Sequence, residues 1–206
     1  MKLPHVDPRI LRTRAALRDA LAVLLRDRSF EELTLNDLAA ASGLNRATIY
    51  KHHADKFALL DAWIADDFRQ RMVTVTSSGE WSGVVKLASV VAAACQCLHW
   101  IGTLGRPDDR LLRPIAEARI RQLLHKVVEF GLAEKLLTAV GKPELAAAMA
   151  GAAIYGAAEA WAPAAGTGTG TRALDAYVAR VIAGLSGVIV PNAHPPARSQ
   201  RPLTFD

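Results

Sequence analysis

Residues 34–60 read TLNDLAAASGLNRATIYKHHADKFALL. Thr34-Leu35-Asn36-Asp37 has the form of a helix start in which a threonine and an acid three residues on cap each other's backbone amides, with Asp where Glu or Gln is usual. Leu38, Ala39 and Ala41 continue the helix. Gly43 then suits the left-handed position just past a helix end. Asn45 is a good N-cap, so a second short helix is predicted over residues 46–52. Asp55 caps a third, which runs on through Phe57, Leu60, Trp63, Ile64 and Phe68. Two short helices joined by a tight glycine turn within about twenty residues describe a helix-turn-helix. Leu38, Leu44 and Ile49 supply its small core, and Ala39 and Ala40 let the second helix approach closely.

Helical patterns extend on both sides. Upstream, Ile10, Leu17, Leu21, Leu24 and Leu25 form one apolar stripe beside a basic face of Arg9, Arg12 and Arg18, and this helix should end near Arg28. Downstream, helices are expected from about Trp81 to Leu104, from Pro114 to about Val140 with Gly131 as a weak point, and from Pro143 to Trp161 with proline at the first helical position. Leu174, Tyr177, Val178, Val181, Ile182 and Leu185 mark the last. The repeat GTGTGT at residues 166–171 reads as a loop, because a phosphate-cradling loop needs a Gly-Lys-Ser/Thr ending that is missing here. Residues 191–206 hold four prolines and few apolar groups, the composition of a disordered tail. No strand and no internal repeat stands out, so the fold class is all-α.

The composition is compatible with this reading. Half of the 206 residues are hydrophobic, enough for a sizeable core. The formal charge is +5 and the pI about 9.5, a balance that permits nucleic-acid binding without proving it. Residues 1–60 carry ten basic and seven acidic side chains, so +3 of the +5 lies there, with three of the six histidines. Cys95 and Cys97 are two apart in an apolar run, where helical side chains do not face each other, and they read as small core residues of a reducing compartment. The N-terminus lacks the order of a signal peptide. The apolar runs 84–104 and 145–165 are broken by Lys86, Gln96, His99 and Glu159, so buried helices are expected rather than membrane spans, in a cytoplasmic protein.

The second helix of the motif would expose Arg46, Ala47, Tyr50 and Lys51, and residues of its first turn would meet base edges in a major groove. Arg46 suits guanine O6 and N7; Ala47 or the methyl of Thr48 suits a thymine methyl. The Tyr50 hydroxyl, Lys51 and His52 suit phosphates, and Lys56 stands at a helix N-terminus, where backbone amides also favour an anion. His52 and His53 are adjacent, so they point about 100° apart and cannot share one metal. No Cys, Asp or Glu completes a ligand set. No nucleophile or paired acid and base is readable either. No enzyme activity, metal or cofactor is expected.

At this point the stretch resembles the DNA-binding domain of the TetR family of bacterial transcriptional regulators. The likeness rests on Leu38-Ala39, Ser42-Gly43-Leu44-Asn45, Thr48-Ile49-Tyr50-Lys51-His52, Asp55-Lys56 and Leu59-Leu60, and covers roughly residues 10–64. It departs at His53, where the family usually places an apolar residue. The resemblance implies that Thr34, Tyr50, His52 and Lys56 touch phosphates and that Arg46 and Ala47 read bases, with Asn45, Thr48 and Lys51 completing the surface.

It also implies an N-terminal three-helix helix-turn-helix domain over residues 1–56, and a helical ligand-binding and dimerisation domain over 57–190 ahead of the tail at 191–206. A homodimer would read a near-palindromic operator, and a small-molecule effector would release it. Trp81, Cys97, His99, Trp100, Phe130 and Met149 are the candidate pocket residues, suited to an apolar or aromatic effector. Ala147, Ile154, Ala158, Trp161, Tyr177, Val181 and Leu185 are the candidate dimer residues, because the alanine- and glycine-rich helix and the last helix together suit a four-helix bundle with a second copy. The alternative is a helical interaction protein whose reading head has degenerated.

Overall fold

The computed structural model describes residues 8–75, 82–105, 109–164 and 171–193. Among them are eight helices: α1 (Pro8–Asp27), α2 (Leu35–Ser42), α3 (Arg46–His52), α4 (Lys56–Val75), α5 (Gly83–Thr103), α6 (Leu112–Ala133), α7 (Pro143–Ala164) and α8 (Thr171–Gly184). Two three-residue strands, β1 (Leu137–Ala139) and β2 (Ile189–Pro191), pair antiparallel with Thr138 opposite Val190. The chain forms two compact units, Met1–Ile64 with Thr103–Ala116, and Ala65–Gly102 with Glu117–Asp206. The sequence division at residue 56 thus falls at the first residue of α4, while compactness divides the chain eight residues later in that helix and adds a second segment to the first unit.

In the first unit the apolar stripe of α1 turns inward through Leu17, Leu21 and Leu25, which meet a core of Phe30, Leu33, Leu38, Ile49, Leu59 and Leu60. Arg9, Arg12 and Arg26 stay on the exposed side of the helix. Burying a Leu or Phe side chain contributes roughly 1.5–3 kcal/mol, so this cluster is what three short helices need to hold together. Neither α2 nor α3, with eight and seven residues, is long enough to be stable alone.

The second unit is built round α5, whose Leu87, Val90, Val91, Ala93, Ala94, Cys95 and Cys97 are all buried. Among the described residues α5 is the one helix long and apolar enough to cross a membrane; its burial makes it a core helix here. α7 approaches α6 closely at Gly151, where an added Cβ would lie 3.3 Å from the backbone nitrogen of His125. The small residues of α7 are what allow that contact.

Two sequence expectations change. The helix expected to reach Val140 ends at Ala133, because Lys135 adopts the left-handed conformation (φ 55°) and the Leu136 N–H returns to the Gly131 carbonyl at 2.8 Å. The chain then forms β1, a strand too short to leave a two-residue periodicity in the sequence. The residues expected to open the tail are also structured: Pro191 lies in β2 and Asn192 is a clasp. The Asn192 N–H donates to the Leu136 carbonyl (2.9 Å), its own carbonyl accepts from the Gly83 N–H (2.9 Å), and its amide Nδ2 donates to the Lys135 carbonyl (2.7 Å). Residues 194–206 of the expected tail lie outside the described residues.

The clasp demands glycine at 83. An added Cβ would sit 2.1 Å from the Leu136 carbonyl oxygen and 2.8 Å from the Asn192 nitrogen, and both obstacles are backbone. Gly83→Ala is expected to lower unfolding stability by about 2–3 kcal/mol, read as a reduced midpoint in urea denaturation. An unchanged midpoint would show that the clasp is marginal.

Candidate nucleic-acid interface

The helix-turn-helix is fixed by local caps. The Thr34 hydroxyl accepts from the Asp37 N–H (3.2 Å) while Asp37 Oδ2 accepts from the Thr34 N–H (2.8 Å), the reciprocal box predicted from sequence. Arg28 adds an ion pair to Asp37 at 2.9 Å. The Thr34 hydroxyl, with Arg28 second, draws the Asp37 carboxyl down to about 2. Gly43 is left-handed (φ 67°). Asn45 Oδ1 then accepts from the Ala47 N–H at 2.9 Å and opens α3. Asp55 Oδ1 caps α4 through the Ala58 N–H at 2.7 Å. Leu38 and Ile49 are fully buried beneath.

This scaffold leaves one face of α3 open. Asn45, Arg46, Ala47, Tyr50, Lys51 and His52 are exposed and Thr48 is half-buried. The Arg46 guanidinium lies along the helix, 5.3 Å from the Tyr50 ring centre and 3.5 Å from its hydroxyl. His53 ends the helix in extended conformation, half-buried, its N–H donating to the Ile49 carbonyl at 2.8 Å. The polar residue at this position therefore leaves the cap of α3 intact.

Two residues expected at phosphates are engaged inside the protein. Lys56 Nζ donates to the carbonyls of Phe30 (2.9 Å), Glu31 (2.6 Å) and Leu33 (2.9 Å). An ammonium has three N–H bonds, and here all three are engaged within the protein. The rings of Phe30 and Phe57 flank it at 5.2 and 5.5 Å. In this structure Lys56 ties the start of α4 to the turn before α2. Its partners are more than twenty residues away in sequence, so no local pattern announces them. The Thr34 hydroxyl proton likewise goes to Asp37 Oδ2 at 2.6 Å, which makes Thr34 first a cap.

In the second unit the sequence-named pocket residues scatter. Cys97 is buried and its thiol donates to Asp67 Oδ2 at 3.3 Å. Asp67 is paired with Arg71 through two bonds of 2.6 and 3.1 Å, and Arg71 stands 5.6 Å from the Trp100 ring centre. Cys97 and Trp100 thus belong to one cluster with an Asp–Arg pair that sequence reading missed; its signal was the four-residue spacing of opposite charges on a helix. Burial first, then the Asp67 charge, pushes the Cys97 thiol far above its ordinary range, and burial takes Cys95 to about 12, so both are poor nucleophiles. His99 and Phe130 are half-buried, and Trp81 lies outside the described residues. Met149 is 49% exposed on α7 and lines no interior. A groove of about 570 Å³ lies instead among Glu129, Leu132, Leu137, Thr138, Pro143 and Glu144, and contains none of the named residues.

Most of the dimer candidates face the interior of one chain. Ala147, Ile154, Ala158, Trp161 and Leu185 are buried within the protomer. Tyr177 and Val181 are half-buried. The Tyr177 hydroxyl donates to the Ala157 carbonyl at 2.6 Å and its ring lies 5.0 Å from that of Trp161. Through Tyr177, α8 is joined to α7 inside one chain. The open face of α7 carries Leu145, Ala148, Met149, Ala152, Ala153 and Gly156. A helix apolar on every side gives no contrast from which inside and outside could be read.

Replacing Lys56 separates its two possible roles. Lys56→Met should destabilise the protein by about 2–3 kcal/mol, the loss expected when charged hydrogen bonds to buried carbonyls go unmade. The salt slope of DNA binding should stay as in the parent, whereas loss of a phosphate contact lowers that slope by about one. A lower slope with unaltered stability would restore the phosphate role.

Residues 17–63 match the family model described as bacterial regulatory proteins, tetR family. A 64-residue stretch is 39% identical to an uncharacterised helix-turn-helix transcriptional regulator, YxbF, of Bacillus subtilis; it covers 31% of this chain and 17% of that relative. Among solved structures, the chain is similar to the fatty acid degradation regulator FadR from Bacillus halodurans (17% identity, TM-score 0.52, 84% of this chain and 97% of that one). It is similar also to FadR from Bacillus subtilis, solved with stearoyl-CoA (17% identity, TM-score 0.50, 86% and 98%). At such identities the structures establish a shared fold, an N-terminal helix-turn-helix followed by a helical domain. Residues 17–63 thus form a domain similar to that of the bacterial regulatory proteins of the tetR family, and the chain spans under a fifth of the length of the curated relative it matches.

Proposed function

We propose that the protein is a repressor that binds a palindromic operator as a homodimer and is released by a small-molecule effector. The observation that carries the reading is the exposed face of α3, with Arg46, Ala47, Tyr50, Lys51 and His52 projecting from a helix capped at both ends. Arg46 and Ala47 read bases, Thr48 adds a methyl, and Tyr50, Lys51 and His52 hold phosphates, with Asn45 fixing the helix start that presents them. The exposed arginines of α1 add to the positive field.

Dimerisation uses the open face of α7, centred on Met149, Ala152, Ala153 and Gly156, in place of the buried residues first named. Two copies of α3 then lie at the spacing of successive major grooves, about 34 Å. The effector, of apolar or aromatic character, binds within the helices of the second unit, where α5 contributes His99 and Trp100. It shifts α4, which is continuous with the reading head, and spoils that spacing. It acts only by binding the two arrangements unequally.

Two measurements test this. In a salt titration against DNA flanking the gene, the parent protein should bind tightly and lose affinity steeply with salt. Arg46→Ala/Tyr50→Ala should bind about 10–100-fold more weakly to the preferred sequence; equal binding by the variant would remove α3 from the interface. In sedimentation, the parent should run as a dimer of the 22.1 kDa chain, and Ala152→Glu, which buries a charge in the proposed seam at a cost of about 3 kcal/mol or more, should run as a folded monomer. A dimeric Ala152→Glu would place the seam elsewhere.

A further inference from the structure

One carboxylate in the first unit serves two elements. Asp109 Oδ1 accepts from the backbone N–H groups of Leu111 (3.1 Å) and Leu112 (3.0 Å) and so caps α6. Its other oxygen, Oδ2, accepts from the Phe30 N–H at 2.6 Å. Phe30 is fully buried, where an unmatched N–H would be costly. The Phe30 carbonyl is one of the three held by Lys56. The turn between α1 and α2 is therefore gripped from both sides, its N–H by the residue that starts α6 and its carbonyls by the residue that starts α4. Gly105 is left-handed (φ 69°) and an added Cβ would lie 2.7 Å from Leu112 Cδ2, so the approach to this cap is fitted closely.

A helix cap alone needs one oxygen, which Ser, Thr or Asn supplies as well as Asp. The second oxygen is used only because the residue is a carboxylate. α6 is a single helix from Leu112 to Ala133, and from Glu117 onward it belongs to the second unit.

We infer that Asp109 is a positioning residue of the reading head, tying the first turn of α6 to the Phe30 turn, and so to α2 and α3, within the first unit. The contact stands on its own geometry; its consequence for DNA rests on the proposed DNA-binding function. Because coupling is reciprocal, DNA held by α3 must in turn steady the first turn of α6, which touches no DNA.

Hydrogen exchange of the full-length protein tests this, using the parent and Asp109→Ser, whose hydroxyl keeps a one-oxygen cap on α6 but is too short to reach Phe30. Exchange is followed free and with an operator selected from random sequence. In the free variant the amides of residues 30–33 should exchange about tenfold faster, with residues 111–115 little changed. On DNA, the parent should gain protection in α3 and in residues 111–115, and the variant in α3 alone. Equal rates at 30–33 in the two free proteins would overturn the inference, as would a parent protected at α3 but indifferent at 111–115. Absence of protection at α3 would instead count against DNA binding, while the free-protein comparison still decides the clasp.

Discussion

The reading head depends on one ammonium group. Lys56 meets three carbonyls that all point the same way from the turn at residues 30–33. A compact charge with three donors and no acceptor fits that arrangement, where the planar fork of an arginine would not. The rings of Phe30 and Phe57, 5.5 Å apart and edge to face, flank the ammonium, and its bonds to Phe30 and Leu33 are part-buried. Leu33 lies just ahead of α2 and Lys56 just behind α3, so the same group closes the helix-turn-helix into a ring. Helices of eight and seven residues would not persist without such closure.

Once the ring is closed, α3 can afford to bury little. Only Ile49 of its seven residues is buried, and the remainder is available to a partner. Arg46 resting over Tyr50 has already lost part of its rotamer freedom, so less is lost again when both groups meet a ligand surface. An exposed cation–π contact contributes only about 0.5–1 kcal/mol, small enough for the two hydrogen bonds of the proposed base contact to draw Arg46 off the ring.

How much of this was legible in the sequence follows the range of each interaction. Thr34, Asp37, Gly43, Asn45 and Asp55 cap or turn the chain through atoms within three residues, and residue type at a fixed offset announced them all. The buried positions of α1, α2 and α3 followed from periodicity. The tie from Lys56 to Phe30, the grip of Asp109 on Phe30 and the Asn192 clasp on Gly83 span 26, 79 and 109 residues, and each has an unremarkable local setting. Lys56 was therefore noticed for its charge and given the commonest use of a charge near DNA. The pocket residues were less legible for a related reason: aromatic, sulfur and imidazole groups in an apolar run mark burial of some kind, without saying which of them share a cavity.

The inner and outer faces of α7 are told apart by its glycines. A glycine inside a helix costs roughly 0.5–1 kcal/mol relative to alanine, so each needs a compensating contact. At Gly151 the compensation is inside the protomer, where the His125 backbone leaves no room for a methyl group without adjustment. At Gly156 nothing lies within 4 Å of the place a Cβ would take. Its neighbours along that face, Ala152, Ala153 and Ala160, are small and exposed as well. Within one chain, then, this run of small residues has no steric reason to be small. A second helix at the 8–10 Å separation of packed helices supplies one, which is why the proposed seam runs along Gly156 and not along the buried side marked by Ile154 and Ala158.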